Sequence, residues 1–254
     1  MIVIRSTLFL LLVSVWTIPF GVLVSLAIAL PIAARYAIIA FWRSGFMALS
    51  RYVLGIRYRV IGRENIPALP SVVLAKHQAA WETVGLQEIF PPLVFVLKKE
   101  LLRVPFFGWG LAALKMISIN RAAAKDALKQ IFDQGRDRLA AGYWVVIFPE
   151  GTRVAPGETC RYKPGGAHLA LRAGVLVVPV AHNAGEIWGR NVFRIKPGLI
   201  TVSVGPPIDP AEKSAARINT LAAAWIEEEM RRLSPHRYPP PAPAASDADA
   251  VAAA

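Results

Sequence analysis

A long apolar segment near the N-terminus is the feature that most constrains how this chain can fold. Residues 6–34 form 29 consecutive positions without a charged side chain, bounded by Arg5 and Arg35. A helix needs about 20 apolar residues to cross the hydrocarbon core of a bilayer, so the segment is long enough to do so. Pro19 and Pro31 are expected to kink or break it. The segment predicts an N-terminal helical unit that associates with a membrane.

The residues that follow, 36–54, form a second and amphipathic segment. Its apolar side chains recur near helical spacing, with Arg43 and Arg51 between them. Two arrangements are open: the first helix spans the bilayer and the second lies in the interface, or both form a hairpin inserted from one side. The competing interpretations are a signal peptide, whose apolar region is normally only about 7–15 residues long, and a pair of buried core helices.

Charge is distributed unevenly along the chain. The 254 residues carry a formal net charge of +12, yet residues 1–63 contain seven arginines and no Asp or Glu. Arginines interleaved with apolar residues favour anionic membrane lipids over nucleic acid as a partner, and no nucleic-acid-binding motif is visible. The positive-inside rule then predicts a cytoplasmic (inner) membrane location with the main domain facing the cytoplasm. Cys160 is the only cysteine, so an intrachain disulfide is excluded.

From residue 56 the chain changes to short apolar runs at the spacing of an α/β protein. The last strand is expected to be interrupted at Pro197-Gly198. This alternation predicts an α/β fold whose sheet is mainly parallel, or mixed, and covered by helices. Strands are expected at 56–61, 71–76, 93–98, 116–120, 144–149, 175–181 and 192–204, and helices at 81–90, 122–141, 165–173 and 211–233.

Three parts are expected along the chain. Residues 1–55 form membrane-anchoring helices, and residues 56–234 form the main α/β domain. Residues 235–254 are rich in Pro and Ala and are expected to form a disordered tail.

Polar residues that could carry chemistry follow two of the predicted strands. His77 and Glu82 come after the apolar run 71–75, in an H-x-x-x-x-E pattern. On a regular helix, five positions rotate the side chains by about 140° relative to each other, so they would diverge. They can meet if His77 lies in the turn that enters the helix. A carboxylate on one imidazole nitrogen fixes the tautomer and leaves the other nitrogen as a base.

The second such block is Phe148-Pro-Glu-Gly-Thr-Arg153, which follows the apolar run 144–147. Gly151 permits positive φ or close backbone approach. Glu150 can accept a proton from a hydroxyl group, and Arg153 can bind phosphate through its planar fork of donors. Arg121, after the run 116–120, can bind phosphate in the same way. Each of these features alone is also compatible with an ordinary turn or a solvated charge.

Taken together and in this order, the blocks resemble the glycerolipid acyltransferase family, and within it the 1-acylglycerol-3-phosphate acyltransferases. The resemblance covers roughly residues 56–205. The third motif, F-P-E-G-T-R, matches fully, and V-P-V with a small residue matches at 178–181. The first motif, H-x-x-x-x-D, has Glu82 in place of Asp. The second, G-x-x-F-I-x-R, has Lys115 and Ser118 at its Gly and Phe positions, which weakens any inference about the acceptor.

The resemblance implies the transfer of a fatty acyl group from a thioester to the sn-2 hydroxyl of 1-acylglycerol 3-phosphate. His77 would act as the base and Glu82 would orient it. Substrate binding falls to Arg121, Glu150, Gly151, Thr152 and Arg153. No metal or prosthetic cofactor is implied, and the cosubstrate is acyl-CoA or acyl-ACP. The expected partners are lysophosphatidic acid, the acyl thioester, membrane lipids and, where acyl-ACP is the donor, acyl carrier protein.

Other interpretations stay open at this point. The same chemistry could act on another lysolipid or on glycerol 3-phosphate, or the chain could be an inactive lipid-binding membrane protein. A hydrolase is a further option, although the sequence has no G-x-S-x-G motif. A covalent intermediate on Cys160 has no neighbouring histidine in the sequence to support it. His168 and His182 are interpreted as packing or rim residues.

Overall fold

A mixed seven-stranded sheet forms the centre of the molecule. The computed structural model describes residues 1–90, 92–120 and 124–238. The sheet order is β1-β7-β6-β2-β5-β3-β4, and every neighbouring pair is parallel except β6 and β7. The predicted α/β fold with a mainly parallel sheet is therefore confirmed. The strands are β1 (Ile56–Ile61), β2 (Val72–Ala75), β3 (Leu93–Lys98), β4 (Ile117–Ile119), β5 (Trp144–Ile147), β6 (Val177–His182) and β7 (Gly198–Val204).

Helices surround this sheet. In chain order they are α1 (Ile2–Leu26), α2 (Ile32–Leu49), α3 (Glu82–Gly85), α4 (Phe107–Ala113), α5 (Ala124–Ala140), α6 (Gly165–Ala173), α7 (Ala184–Ile187) and α8 (Ala215–Leu233). Short 3₁₀ segments lie at Ala27–Ala29, Arg63–Asn65, Leu86–Glu88 and Lys99–Arg103, and a π-helical turn lies at Ser50–Leu54.

The sheet topology brings the two polar blocks to one edge. β2 lies in the middle of the sheet and pairs in parallel with both β5 and β6. All three strands are buried along their whole length, which explains their continuous apolar sequences. Because the carboxyl ends of parallel strands meet at the same edge, the loops after β2 and β5 lie side by side.

The structure departs from the expected elements in four places. Residues 192–197 are not a strand, and β7 begins only at Gly198, after Pro197. The last helix begins at Ala215 rather than 211, because the Ser214 hydroxyl caps it by accepting from the Arg217 N–H. Helices α4 and α7 were not expected. Tyr238, which falls within the expected tail, is buried, whereas residues 235–237 are exposed.

Helices α1 and α2 form an antiparallel hairpin. The Trp16 indole N–H donates to the Trp42 carbonyl at 3.0 Å, and the Trp42 indole donates to the Thr17 hydroxyl at 3.1 Å. Pro31 separates the helices, whereas Pro19 lies within α1. The turn of the hairpin exposes apolar side chains: Leu26 is 75% exposed, Ile28 63% and Leu30 50%.

Two arginines of α2, the buried Arg35 and the half-buried Arg43, attach the hairpin to the α/β domain. The Arg35 guanidinium donates to the Ala113 carbonyl at 2.6 Å, and Arg43 forms a 2.7 Å ion pair with Glu88. The segment Ile2–Ala29 is, within the described ranges, the one helix long and apolar enough to cross a membrane. Only 17% of the residues in its most apolar stretch are buried, which disfavours the interpretation of α1 as a core helix.

Candidate active site

An imidazole–carboxylate pair lies at the carboxyl end of β2. His77 occupies the loop ahead of α3, and Glu82 is the first residue of that helix. His77 Nδ1 lies 2.5 Å from Glu82 Oε1. His77 therefore lies in the turn that enters the helix, the position in which two residues five apart can meet. With Nδ1 engaged by the carboxylate, proton transfer falls to Nε2.

Glu82 is fully buried and is held by the loop that precedes it. The backbone N–H of Gln78 donates to Oε1 at 2.9 Å, and that of Ala79 donates to Oε2 at 2.7 Å. Burial raises the pKa of Glu82 to about 7, because the ionised form loses its hydration, while His182 and the two N–H groups act in the opposite direction. The side chain is therefore poised to ionise near neutral pH.

Aromatic packing fixes the plane of the His77 ring. The ring stacks on Phe148, with centroids 4.1 Å apart and planes 14° apart. Phe148 in turn stacks on Phe95, with a centroid separation of 5.8 Å. The first residue of the F-P-E-G-T-R block thus orients the imidazole.

Glu150 holds the backbone of the loop that carries His77. Its Oε1 accepts from the His77 backbone N–H at 3.3 Å and lies 3.5 Å from Lys76 Nζ. Burial raises the pKa of Glu150 to about 7, and the neighbouring Lys76 opposes this rise. The structure thus gives Glu150 a structural contact, and its expected contact with substrate stays a prediction.

The remaining residues of the block differ in their surroundings. Gly151 has a φ of 71°, a backbone conformation that favours glycine, whereas the atom nearest to an added Cβ is Lys163 Nζ at 2.8 Å, the end of a flexible side chain that can move aside. Thr152 is exposed.

Arg153 lies beside the imidazole–carboxylate pair. It lines the same cavity as His77, and its charge lowers the pKa of Glu82. The adjacent Val154 N–H donates to the His77 carbonyl at 2.8 Å, which joins the two loops. Arg121, the other expected phosphate ligand, lies outside the described residues.

A largely apolar cavity of about 430 Å³ adjoins His77 and Arg153. Its walls come from α1, α2, β3 and α4, so the N-terminal hairpin forms part of the site. Representative lining residues are Phe9, Phe20, Trp42, Leu97, Leu111 and Trp188. Such a volume falls within the range of about 300–1,000 Å³ that is typical of small-molecule sites.

Sequence reasoning missed three residues around the site. Lys76, fully buried, forms a 2.7 Å ion pair with Glu227 on α8. The Tyr238 hydroxyl accepts from the Gln78 side chain at 2.8 Å. His182 is buried and contacts Glu82. Lys76 had a local signal in its position directly before His77. His182 had one in its position directly after the V-P-V-A run at 178–181, although it was interpreted as a packing or rim residue.

Cys160 and His168 are two residues that the sequence disfavoured as catalytic groups. Cys160 is an exposed free thiol. His168 lies half-buried on α6. Within residues 1–90, 92–120 and 124–238, no group of three or more His, Cys, Asp or Glu side chains is arranged to hold a metal ion.

The imidazole–carboxylate pair beside an apolar cavity is suited to acid–base chemistry, and comparison with known proteins identifies the class of the protein. A family model described as acyltransferase matches residues 57–183, and the chain belongs to this family. The chain is 46% identical to the 1-acyl-sn-glycerol-3-phosphate acyltransferase of Pseudomonas aeruginosa, over 91% of this chain and 92% of the relative.

More distant relatives carry the same description. The 1-acyl-sn-glycerol-3-phosphate acyltransferase of Salmonella typhimurium is 31% identical, over 64% of this chain and 68% of the relative. Among solved structures, the crystal structure of the 1-acyl-sn-glycerophosphate acyltransferase from Thermotoga maritima superposes with a TM-score of 0.76. It is 22% identical and covers 91% of this chain and 95% of its own, which shows a shared fold.

Proposed function

We propose that this acyltransferase moves a fatty acyl group from acyl-CoA or acyl-ACP to the sn-2 hydroxyl of 1-acylglycerol 3-phosphate, giving phosphatidic acid. One observation carries the proposal: an imidazole held at 2.5 Å by a buried carboxylate faces an apolar cavity. The description of the Pseudomonas aeruginosa relative supports this choice of acceptor.

The chemistry follows from the orientation of His77. Nε2 removes the proton of the sn-2 hydroxyl as that oxygen attacks the thioester carbonyl. The tetrahedral intermediate then collapses, the carbon–sulfur bond breaks, and the imidazolium gives its proton to the leaving thiolate, which departs as the free thiol. Glu82 keeps Nδ1 protonated and stabilises the transient imidazolium. General base catalysis of this kind contributes about 10²–10⁴-fold.

Substrate groups are assigned to the two sides of the site. The apolar cavity takes the acyl chain, and Arg153 binds the acceptor phosphate, with Arg121 as its expected second ligand. Gly151 and Thr152 shape the turn that presents Arg153, while Glu150 holds the backbone of His77. The thioester is the only cosubstrate that these steps require.

The hairpin of α1 and α2 is the part of the protein that we propose to insert into the membrane. Its exposed apolar turn supports insertion from one side in preference to a full crossing, with Arg35 and Arg43 holding the α/β domain at the cytoplasmic surface. The donor and acceptor chains then reach the cavity without leaving the lipid phase.

The test is acyl transfer by the full chain in lipid vesicles. Labelled acyl-CoA and acyl-ACP are each offered with 1-acylglycerol 3-phosphate, and enzymatic hydrolysis of the product locates the label at sn-1 or sn-2. His77→Ala is compared with His168→Ala, a histidine outside the site. We expect sn-2-labelled phosphatidic acid from the wild type and from His168→Ala, and a loss of at least about a hundredfold for His77→Ala.

Each alternative gives a different result in this assay. Full turnover by His77→Ala would refute the base assignment. Transfer only to glycerol 3-phosphate or to another lysolipid would replace the acceptor, an outcome that the altered second motif makes worth testing. Free fatty acid without transfer would indicate a hydrolase, and lipid binding without turnover an inactive binding protein.

A further inference from the structure

A second imidazole contacts the carboxylate that orients His77. His182 is the last residue of β6, the strand that pairs with β2 and so runs beside the loop carrying His77. Its side chain is fully buried. Its Nε2 lies 3.4 Å from Glu82 Oε2, on the side of the carboxylate away from His77.

The hydrogen bonds of His182 define its tautomer. Nδ1 accepts from the Ala184 backbone N–H at 3.3 Å, so the ring proton resides on Nε2. Nε2–H donates to the Lys76 carbonyl at 2.8 Å. One N–H group therefore faces both the residue before His77 and the carboxylate partner of His77.

We propose that His182 is a positioning residue, which holds the Lys76–Glu82 loop so that the Glu82 carboxylate meets the His77 imidazole. The inference rests on the proposed function, because it gives His182 a role only if His77 and Glu82 act as a catalytic pair. The end of β6 and the loop after β2 then together fix the geometry of the base.

A neutral His182 suits this role. The charged or titratable groups that face it are Glu82, His77 and Lys76. Burial lowers the pKa of His182, and the charges of His77 and Lys76 act in the same direction, whereas Glu82 and the hydrogen bond to the Lys76 carbonyl oppose them. A protonated His182 would compete with His77 for the Glu82 carboxylate. A neutral ring donates one hydrogen bond, to the Lys76 carbonyl, so the negative charge of Glu82 acts on His77.

The two imidazoles are thereby distinguished by their surroundings. The side chain of His77 is 16% exposed and lines the cavity, whereas the side chains of His182 and Glu82 are not exposed at all. Only His77 can reach a substrate hydroxyl, so His182 acts through its neighbours.

Two amide substitutions separate the contacts of His182. In His182→Gln the side-chain amide N–H₂ reaches the position of Nε2 and keeps the donor toward the Lys76 carbonyl and Glu82. In His182→Asn the shorter side chain keeps an acceptor for the Ala184 N–H but does not reach Lys76. His168→Asn is the matched control, since it removes a histidine from α6, outside the site.

The experiment measures kcat, KM for donor and acceptor, and the pH profile of kcat/KM in vesicles, with thermal unfolding of each variant. We expect His182→Asn to lower kcat by about 10- to 100-fold with KM little changed, as for a misplaced catalytic group. Its acid limb moves to higher pH, because Glu82 has lost the nearby Nε2–H group of His182, whose positive end favours the ionised carboxylate. His182→Gln recovers kcat to within about threefold of the wild type, and His168→Asn matches it.

Equal kcat and equal pH profiles for His182→Asn and the wild type would overturn the inference. So would equal losses in the Gln and Asn variants that follow their melting temperatures, because these would indicate packing alone. Wild-type turnover and its loss in His77→Ala are measured first. Their failure would refute the proposed function, whereas a normal His182→Asn with an inactive His77→Ala would refute only the role of His182.

Discussion

Glu82 is a buried carboxylate that accepts hydrogen bonds from backbone N–H groups of the Lys76–Glu82 loop. Removing it from water disfavours its charge, and the N–H groups of Gln78 and Ala79 favour it. The balance places its pKa at about 7. The state competent for base catalysis has Glu82 ionised and Nε2 of His77 unprotonated.

The pH dependence of activity follows from this balance. As the pH falls through about 7, the His77–Glu82 pair takes up a proton and the competent state is lost, so kcat/KM should fall on the acid side and level off above. Glu82→Gln should lower kcat by about 10²–10⁴-fold, because a neutral amide no longer stabilises the imidazolium. pH–rate profiles of the wild type and of Glu82→Gln check both expectations. An unchanged kcat in Glu82→Gln would contradict the role of Glu82.

Arg153 should discriminate acceptors by their phosphate. Arg153→Gln removes a charged donor, so we expect KM for 1-acylglycerol 3-phosphate to rise by about 10- to 100-fold, as for the loss of hydrogen bonds to a charged group. KM for uncharged monoacylglycerol should stay the same. Steady-state kinetics with both acceptors provides the measurement, and Arg136→Gln, an exposed arginine on α5, is the control. A parallel change with both acceptors would argue against a phosphate contact.

At the scale of elements, the contact between α1 and the segment before α4 forms part of the cavity. Gly21 lies against the backbone of Phe106, and a Cβ at Gly21 would lie 2.6 Å from the Phe106 carbonyl oxygen. Gly110 on α4 faces Val24 at an ordinary distance of 3.7 Å. The close approach of α1 to Phe106 therefore depends on Gly21 and not on Gly110.

A matched pair of substitutions tests this contact. Gly21→Ala should destabilise the protein by about 1–3 kcal/mol through overpacking and reduce turnover, because α1 must shift away from the cavity. Gly110→Ala should be neutral or slightly stabilising, since alanine favours helix and meets no clash. Thermal unfolding and turnover of the two variants are compared, and similar behaviour of the pair would show that the α1 contact is not tight.

Elements that depend on local pattern were predictable from the sequence, and those that depend on tertiary packing were not. Strands β2, β5 and β6 are buried on both faces, so their apolar runs identify them. Helix α4 carries Gly108 and Gly110, which disfavour helix, and it forms where it packs against α1.

The same distinction holds within the site. His77 and Glu82 are five residues apart, so their meeting could be inferred from the turn between strand and helix. Glu227 is 151 residues from Lys76, and no local pattern predicts their ion pair. His182 and Glu82 are likewise joined only by the pairing of β6 with β2.

At the scale of the whole molecule, the apolar turn of the hairpin should control membrane binding. Leu26→Glu with Ile28→Glu removes two exposed apolar side chains, and burial of each is worth about 1.5–3 kcal/mol. We therefore expect vesicle affinity to fall by at least about a hundredfold, with unfolding unchanged, as measured by vesicle sedimentation. Leu128→Glu, at a similarly apolar but distant position on α5, is the control and should bind normally. Equal binding by all three proteins would place the membrane contact elsewhere.

Because α1 and α2 supply a wall of the cavity, the solubilising agent is itself a kinetic variable for this protein. A detergent that coats the hairpin brings its alkyl tails next to the space assigned to the acyl chain. Apparent chain-length preferences measured in micelles will then reflect competition from detergent tails of similar length, and a purified sample can lose activity without unfolding. Short-tailed detergents or lipid nanodiscs are the media in which the acyl selectivity of the enzyme itself can be measured.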